Sequence, residues 1–199
     1  MTAHHKFELK GEHGFGKHVL LFSSSGSLDK LIFKDLIPKE WKFQYFELDL
    51  QDNLAELETK FMNTLHHYHY AKYLVLDFPA FILLSCSIHK ILQAKHLFDK
   101  IFIFNPVKFR KDRFDLLFPF IKRNPYICLD GKIINVPDIY ITQRKICEDQ
   151  LHSLQSDHIS IIGLQDKIEA FWLSSKIKNS EYLQVENYGE AIKYIVQNI

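Results

Sequence analysis

A three-layer α/β/α fold with a mainly parallel sheet is predicted by three observations. Short β-branched and aromatic runs alternate with segments of helical period, the pattern of repeated β-α-β units. Several of those runs are apolar throughout, as strands covered by helices on both faces must be. At 199 residues, with 47% hydrophobic and 25% charged side chains, the chain is long enough for one domain with a sizeable core.

The strands expected are HVLLF (18–22), FQYFEL (43–48), YLVLD (73–77), KIFIF (100–104), ISIIG (159–163) and YLQVE (182–186). KFELK (6–10) alternates polar and apolar residues, which suits an antiparallel edge strand. Between them, 27–36 places Leu28, Leu31, Ile32 and Leu36 at helical spacing, and 53–68 does the same with Leu54, Leu57, Phe61 and Leu65. The segment 80–98 is nearly apolar all round, the mark of a buried central helix. Helices are also expected over 169–178 and 189–197. The interval 107–157 breaks the rhythm with Pro119, Pro125, Pro137 and the turn pair Asp130-Gly131, and it is read as a lid-like insertion over the strand ends. The domain expected is therefore 1–199, carrying that insertion.

Charge and cysteine usage narrow the function classes. A net charge of +1 and a pI near 7.8 offer no electrostatic footprint for nucleic acid or an anionic membrane. Cys86, Cys128 and Cys147 are irregularly spaced, without the CxxC of a zinc site or the even count of a disulfide framework, so a reducing cytoplasm is the expected compartment. The N-terminus lacks the apolar core of a secretory signal. The longest apolar run, Phe78–Ile88, falls far short of the roughly 20 residues that span a bilayer.

In an open parallel sheet, ligands bind beyond the carboxyl ends of the strands. The segments there are 23–27, 77–81, 105–106 and 163–168. Their order resembles the α/β-hydrolase fold over nearly the whole chain. HVLLFSSSGSLDKLIFKDL is similar to that fold's opening strand, oxyanion loop and first helix, and FQYFELDL to its next strand. KIFIFNPV resembles the strand that follows the nucleophile helix. IIGLQDKI resembles the strand whose loop presents the triad acid, which implies Asp166 in that role. Two groups of small bacterial carboxylesterases share shorter stretches. NPVKF and NPYICLDGKIINVPDIYI resemble an uncharacterised-esterase group. LLFSSSG and IIGLQDKI resemble esterases acting on the pimeloyl-carrier methyl ester of biotin synthesis.

The departures from the resemblance matter more. The hydrolase nucleophile sits in a G-x-S-x-G elbow, whose tight strained turn demands small flanking residues. Matching the strand puts Asp77 at the first glycine, Pro79 at the serine and Phe81 at the second glycine. Proline carries no nucleophile and no N–H. The general base is implied just after the last strand, where Asn187 or Tyr188 stands; no histidine occurs beyond His158. Neither residue exchanges a proton at neutral pH as histidine does. Asp166 alone is left of the three, and an orienting acid without its partners catalyses little.

Other chemistries compete at the same strand ends. Asp77 as a carboxylate nucleophile requires a two-residue slip of the match; its plainer role is N-cap to a helix whose first turn holds Pro79. Ser85 and Cys86 fall too deep in the helix to be presented at an elbow. HHYHY (66–70) places His66 and His69 three apart, but without a nearby carboxylate it reads as the exposed end of a helix, not a metal site. The loop SSSGS (23–27) before a helix could cradle a phosphate, as in flavodoxin-like proteins, with Glu47 or Asp49 near a ribose. It equally serves as a simple cap or a former oxyanion loop.

The expected ligand-facing positions are Ser23, Ser24, Ser25, Gly26, Asp77, Phe78 and Ala80, with Asp166, Pro79 and Tyr188 at the acid, nucleophile and base positions. The expectation is a hydrolase scaffold that has lost ester hydrolysis, with no cofactor or metal, and binds an acyl-like small molecule or a protein partner. The alternatives are an active carboxylic ester hydrolase with an atypical nucleophile, and a flavodoxin-like phosphate or nucleotide binder through 23–27.

Overall fold

Parallel strands dominate the sheet, and their residues reach the core on both faces. The computed structural model describes residues 9–13, 16–24, 37–48, 53–93, 98–104, 126–129, 132–135, 143, 146–147, 149–151, 158–164 and 167–199. In chain order the strands are β1 (Leu9–His13), β2 (His18–Ser24), β3 (Lys42–Leu48), β4 (Tyr73–Asp77), β5 (Lys100–Phe104), β6 (Tyr126–Leu129), β7 (Lys132–Asn135), β8 (Ile159–Gly163) and β9 (Glu181–Gln184). The helices are α1 (Leu54–His67), α2 (Phe78–Gln93), α3 (Lys167–Lys176) and α4 (Tyr188–Asn198).

Seven strands form the main sheet in the order β1-β3-β2-β4-β5-β8-β9. All neighbours in it pair in parallel except β1, which runs antiparallel to β3 at one edge. That edge was expected from residues 6–10; the strand lies at 9–13, and residues 6–8 are outside the described residues. The other expected strands appear where the apolar runs stand, with β9 shifted to 181–184. The shift follows from the chain's exit: Val185 still donates its N–H to Gly163 O at 3.0 Å, and Asn187 then begins α4.

Alternation along each strand sorts side chains into two layers. Leu20, Phe22, Leu74, Leu76, Ile101, Ile103, Ile159 and Ile161 face one side, where they pack with α1, α2 and α3. Val19, Leu21, Val75, Phe102, Phe104 and Ile162 face the other, against Ala191, Ile192 and Ile195 of α4. Phe22 anchors the first layer, its ring 4.7 Å from Phe46 and 4.9 Å from Phe61. Each such fully buried phenylalanine contributes about 1.5–3 kcal/mol over its exposed state.

The central helix α2 is apolar because it is enclosed, with Phe78, Ala80, Phe81, Ile82, Leu83 and Leu84 all buried. It ends at Gln93, short of the expected 98; residues 94–97 lie outside the described residues, and Phe98 is buried but not helical. The expected helix over 27–36 also lies outside them. Within 107–157 the described residues show β6 and β7 as a separate antiparallel pair, Leu129 opposite Lys132. Residues 143, 146–147 and 149–151 are helical, and Cys147 and Leu151 are buried in the first layer. This pair is not among the expected strands, although YICL-DG-KIIN carries an Asp-Gly pair between two apolar runs, a strong hairpin signal. Among the described residues, no helix is long and apolar enough to cross a membrane.

Candidate functional site at the strand ends

The carboxyl ends of β2 and β4 lie side by side at the centre of the sheet. Phe22 pairs with Leu76, so one step further along the two strands come Ser23 and Asp77. Asp77 is 2% exposed, while Ser23 and Ser24 are fully buried. Among the described residues, the Asp77 carboxylate accepts four hydrogen bonds. Its Oδ2 takes the Ser23 hydroxyl at 2.9 Å, the Ser24 N–H at 2.6 Å and the Ser24 hydroxyl at 3.0 Å. Its Oδ1 takes the Ala80 N–H at 2.8 Å.

That last bond is an N-cap: an aspartate side chain accepting from the amide three residues on. It starts α2 directly from β4, with no intervening loop. Pro79 follows in the first helical turn, where a missing N–H leaves nothing unpaired, and it is buried. Among the described residues the one non-glycine with positive φ is Asn179, so residues 77–81 turn from strand to helix without left-handed backbone. The junction therefore has neither the strain nor the small neighbours of a G-x-S-x-G elbow. Phe78 and Phe81 fill the space instead, their rings 6.4 Å apart.

The base position is likewise a helix start. Asn187 Oδ1 accepts the Glu190 N–H at 3.0 Å, and Glu190 Oε2 reaches back to accept the Glu186 N–H at 2.9 Å. This reciprocal arrangement resembles a capping box, and the N-x-x-E spacing at 187–190 announces it. Tyr188 is half-buried and sets its ring 5.4 Å from Phe104. Phe104 pairs with Asp77 across β4 and β5, so Tyr188 reaches the same end of the sheet through an aromatic neighbour. Asp166, Ser25 and Gly26 lie outside the described residues. The structure thus brings together Ser23, Ser24, Asp77 and Ala80, with Pro79 and Phe78 buried beside them. Ser85 is 5% exposed within α2, and Cys86 is half-buried.

The His/Tyr run falls at the far end of the sheet. The helix stops at His67, which leaves His69 in the turn beyond it, and His66, His67 and His69 are exposed. Tyr70 lays its ring 4.5 Å from that of His18, which is buried and bonds Gln44 Oε1 through Nε2 at 2.6 Å. A second polar cluster lies at the amino ends of β5, β8 and β9. Glu181 Oε2 accepts Lys100 Nζ at 3.1 Å and the Ser160 hydroxyl at 3.0 Å. The Tyr194 hydroxyl lies beside that carboxylate without reaching full hydrogen-bond geometry. Tyr194, Lys100 and Ser160 together hold the Glu181 carboxyl below its ordinary range. Burial, then the Glu181 carboxylate, pushes the Tyr194 hydroxyl up to about 12.

No family model and no curated protein matches the sequence. Solved structures do match the fold. A monoacylglycerol lipase from Paleococcus ferrophilus superposes with a TM-score of 0.63 at 9% identity, over 96% of this chain and 97% of that one. An enol-lactonase from Burkholderia xenovorans LB400 gives 0.55 at 10% identity, over 96% and 94%. MGS-M2, an alpha/beta hydrolase enzyme from a Medee basin deep-sea metagenome library, gives 0.54 at 11%, over 96% and 92%. Identity this low speaks for architecture alone. With its parallel sheet, antiparallel edge strand and helices on both faces, the chain has the α/β-hydrolase fold.

Proposed function

We propose that this chain is an α/β-hydrolase-fold protein that has lost ester hydrolysis and uses the scaffold to bind an acyl-like small molecule or a protein partner. One observation carries the reading. The positions where the resemblance puts nucleophile and base both fall at helix starts, where Asp77, two residues before Pro79, caps α2 and Asn187, one residue before Tyr188, caps α4. Acyl transfer needs a nucleophile within reach of a base and a free donor at the developing oxyanion. Pro79 has no such atom, Tyr188 packs against Phe104, and the Ser24 N–H is held by Asp77. The likeness to a lipase and an enol-lactonase supports an acyl-like ligand as the inherited preference.

The test is hydrolysis of 4-nitrophenyl acetate and butyrate by the purified chain, alongside labelling with a fluorophosphonate probe. The expected result is no turnover above the heat-unfolded control and no labelled residue. Turnover that a Ser24→Ala substitution abolishes, or a single labelled residue at the strand ends, overturns the proposal in favour of an active hydrolase with an atypical nucleophile.

A further inference from the structure

We infer that Asp77 is a resident anion: from within the chain, its carboxylate closes an oxyanion-accepting position built jointly by the end of β2 and the start of α2. Of its four donors among the described residues, three come from β2, namely the Ser23 hydroxyl and the hydroxyl and N–H of Ser24. The fourth is the Ala80 N–H of α2. The arrangement is thus more than a helix terminus, because three donors belong to another element more than fifty residues away in sequence. Donors meeting oxygen at 2.6–3.0 Å form the geometry that holds a carboxylate, a phosphate oxygen or a tetrahedral oxyanion.

In the native chain that geometry is filled by a bound carboxylate, shielded from water at 2% exposure. An external anion would have to displace it or sit against its charge in a low-dielectric site, and both are costly. The position is therefore self-blocked. Ser23 and Ser24 thus lend these donors to an internal anion and not to an external phosphate. The inference concerns the donors alone and holds whatever ligand the chain binds elsewhere.

Two substitutions in the full chain separate a cradle from a mere structural contact. Asp77→Ala removes the carboxylate and leaves room for a one-carbon anion, whereas Asp77→Asn keeps the shape and fills the space. Thermal unfolding is followed by circular dichroism in sodium formate and in sodium chloride at equal ionic strength. Both variants are expected to melt well below the native chain in chloride. Formate at about 100 mM is expected to raise the Tm of Asp77→Ala by roughly 3–5 °C, saturably, as for a ligand with a Kd of about 10 mM. The native chain and Asp77→Asn are expected to show no formate-specific shift. Where Asp77→Ala is unfolded in chloride, recovery of the native far-ultraviolet signal in formate alone is the supporting result. An equal response of all three proteins, or none from Asp77→Ala in either assay, overturns the inference.

Discussion

Asp77 and Asn187 do the same work at two helix starts, but with different amounts of help. Asp77 is enclosed and shared between two elements, so its loss orphans buried donors on β2 as well as a helix amide. Asn187 is exposed, and its side-chain bonds, both to Glu190, stay within the first turn of α4. Removing an exposed cap typically costs about 1 kcal/mol. Asn187→Ala is therefore expected to lower stability by about that much in urea unfolding, while Asn187→Asp, which keeps the acceptor, stays near the native value. A loss several times larger would show that Asn187 has a buried partner beyond Glu190. At this scale much was legible. The N-x-x-E spacing and the Asp-x-Pro junction are local signals, readable without knowing what lies nearby.

Between elements, close approach replaces capping as the controlling factor. Gly163 ends β8 where α3 crosses it, and a Cβ there would stand 2.7 Å from the Cβ of Ala170 and 3.1 Å from Gln184 Oε1. Neither neighbour is free to move: Ala170 is buried on the inner face of α3, and Gln184 donates to Leu164 O at 3.2 Å while accepting from the Tyr182 hydroxyl at 2.6 Å. Gly163→Ala is expected to cost about 1–3 kcal/mol as overpacking. Scanning calorimetry should show a lower Tm, by roughly 2–4 °C per kcal/mol for a chain of this size. An unchanged Tm would mean that α3 can shift outward without loss. The other junction, β4 into α2, is built in the opposite way. Asp77 and Phe81 are buried where an elbow would need glycines, with Phe78 buried between them, so the helix start is filled, not thinned.

Across the whole molecule, the polar clusters at the two ends of the sheet differ in exposure. The Asp77 cluster at the carboxyl ends is sealed. The Glu181 cluster at the amino ends is partly open, its Lys100 partner 20% and Glu181 48% exposed. Tyr194 in that cluster keeps its proton to about 12 in the folded chain, against an ordinary value of 10.0. The unfolded chain thus loses this proton first. The stabilisation is complete below about pH 10 and is lost as pH rises towards 12. Glu181 acts with the opposite sign: its carboxyl is held below 4.5, so its contribution is present at neutral pH and fades as pH falls through the acid range. Exposure keeps that second effect below about 1 kcal/mol. In urea unfolding between pH 9 and 12, Tyr194→Phe is expected to flatten the alkaline fall in stability. An unchanged slope would assign that fall to other groups.

The amino-acid sequence by itself determined the layers and most of the strands, because a short, largely apolar run such as KIFIF or ISIIG suits a strand covered on both faces. It also determined that no serine stands at position 79 and no histidine follows His158. Those are facts of identity, which folding cannot alter. Only the tertiary structure decided what YLVLDFPAF does with its aspartate. The sequence allowed Asp77 to be a cap or a nucleophile. Pairing β2 with β4 brought Ser24 against it from 53 residues away, and three donors from that strand turned a local cap into a sealed contact between elements. Periodicity and composition report which face a residue turns inward. They carry no record of which distant donor it will meet there, because that depends on strand order and register, which arise from the packing of the whole sheet.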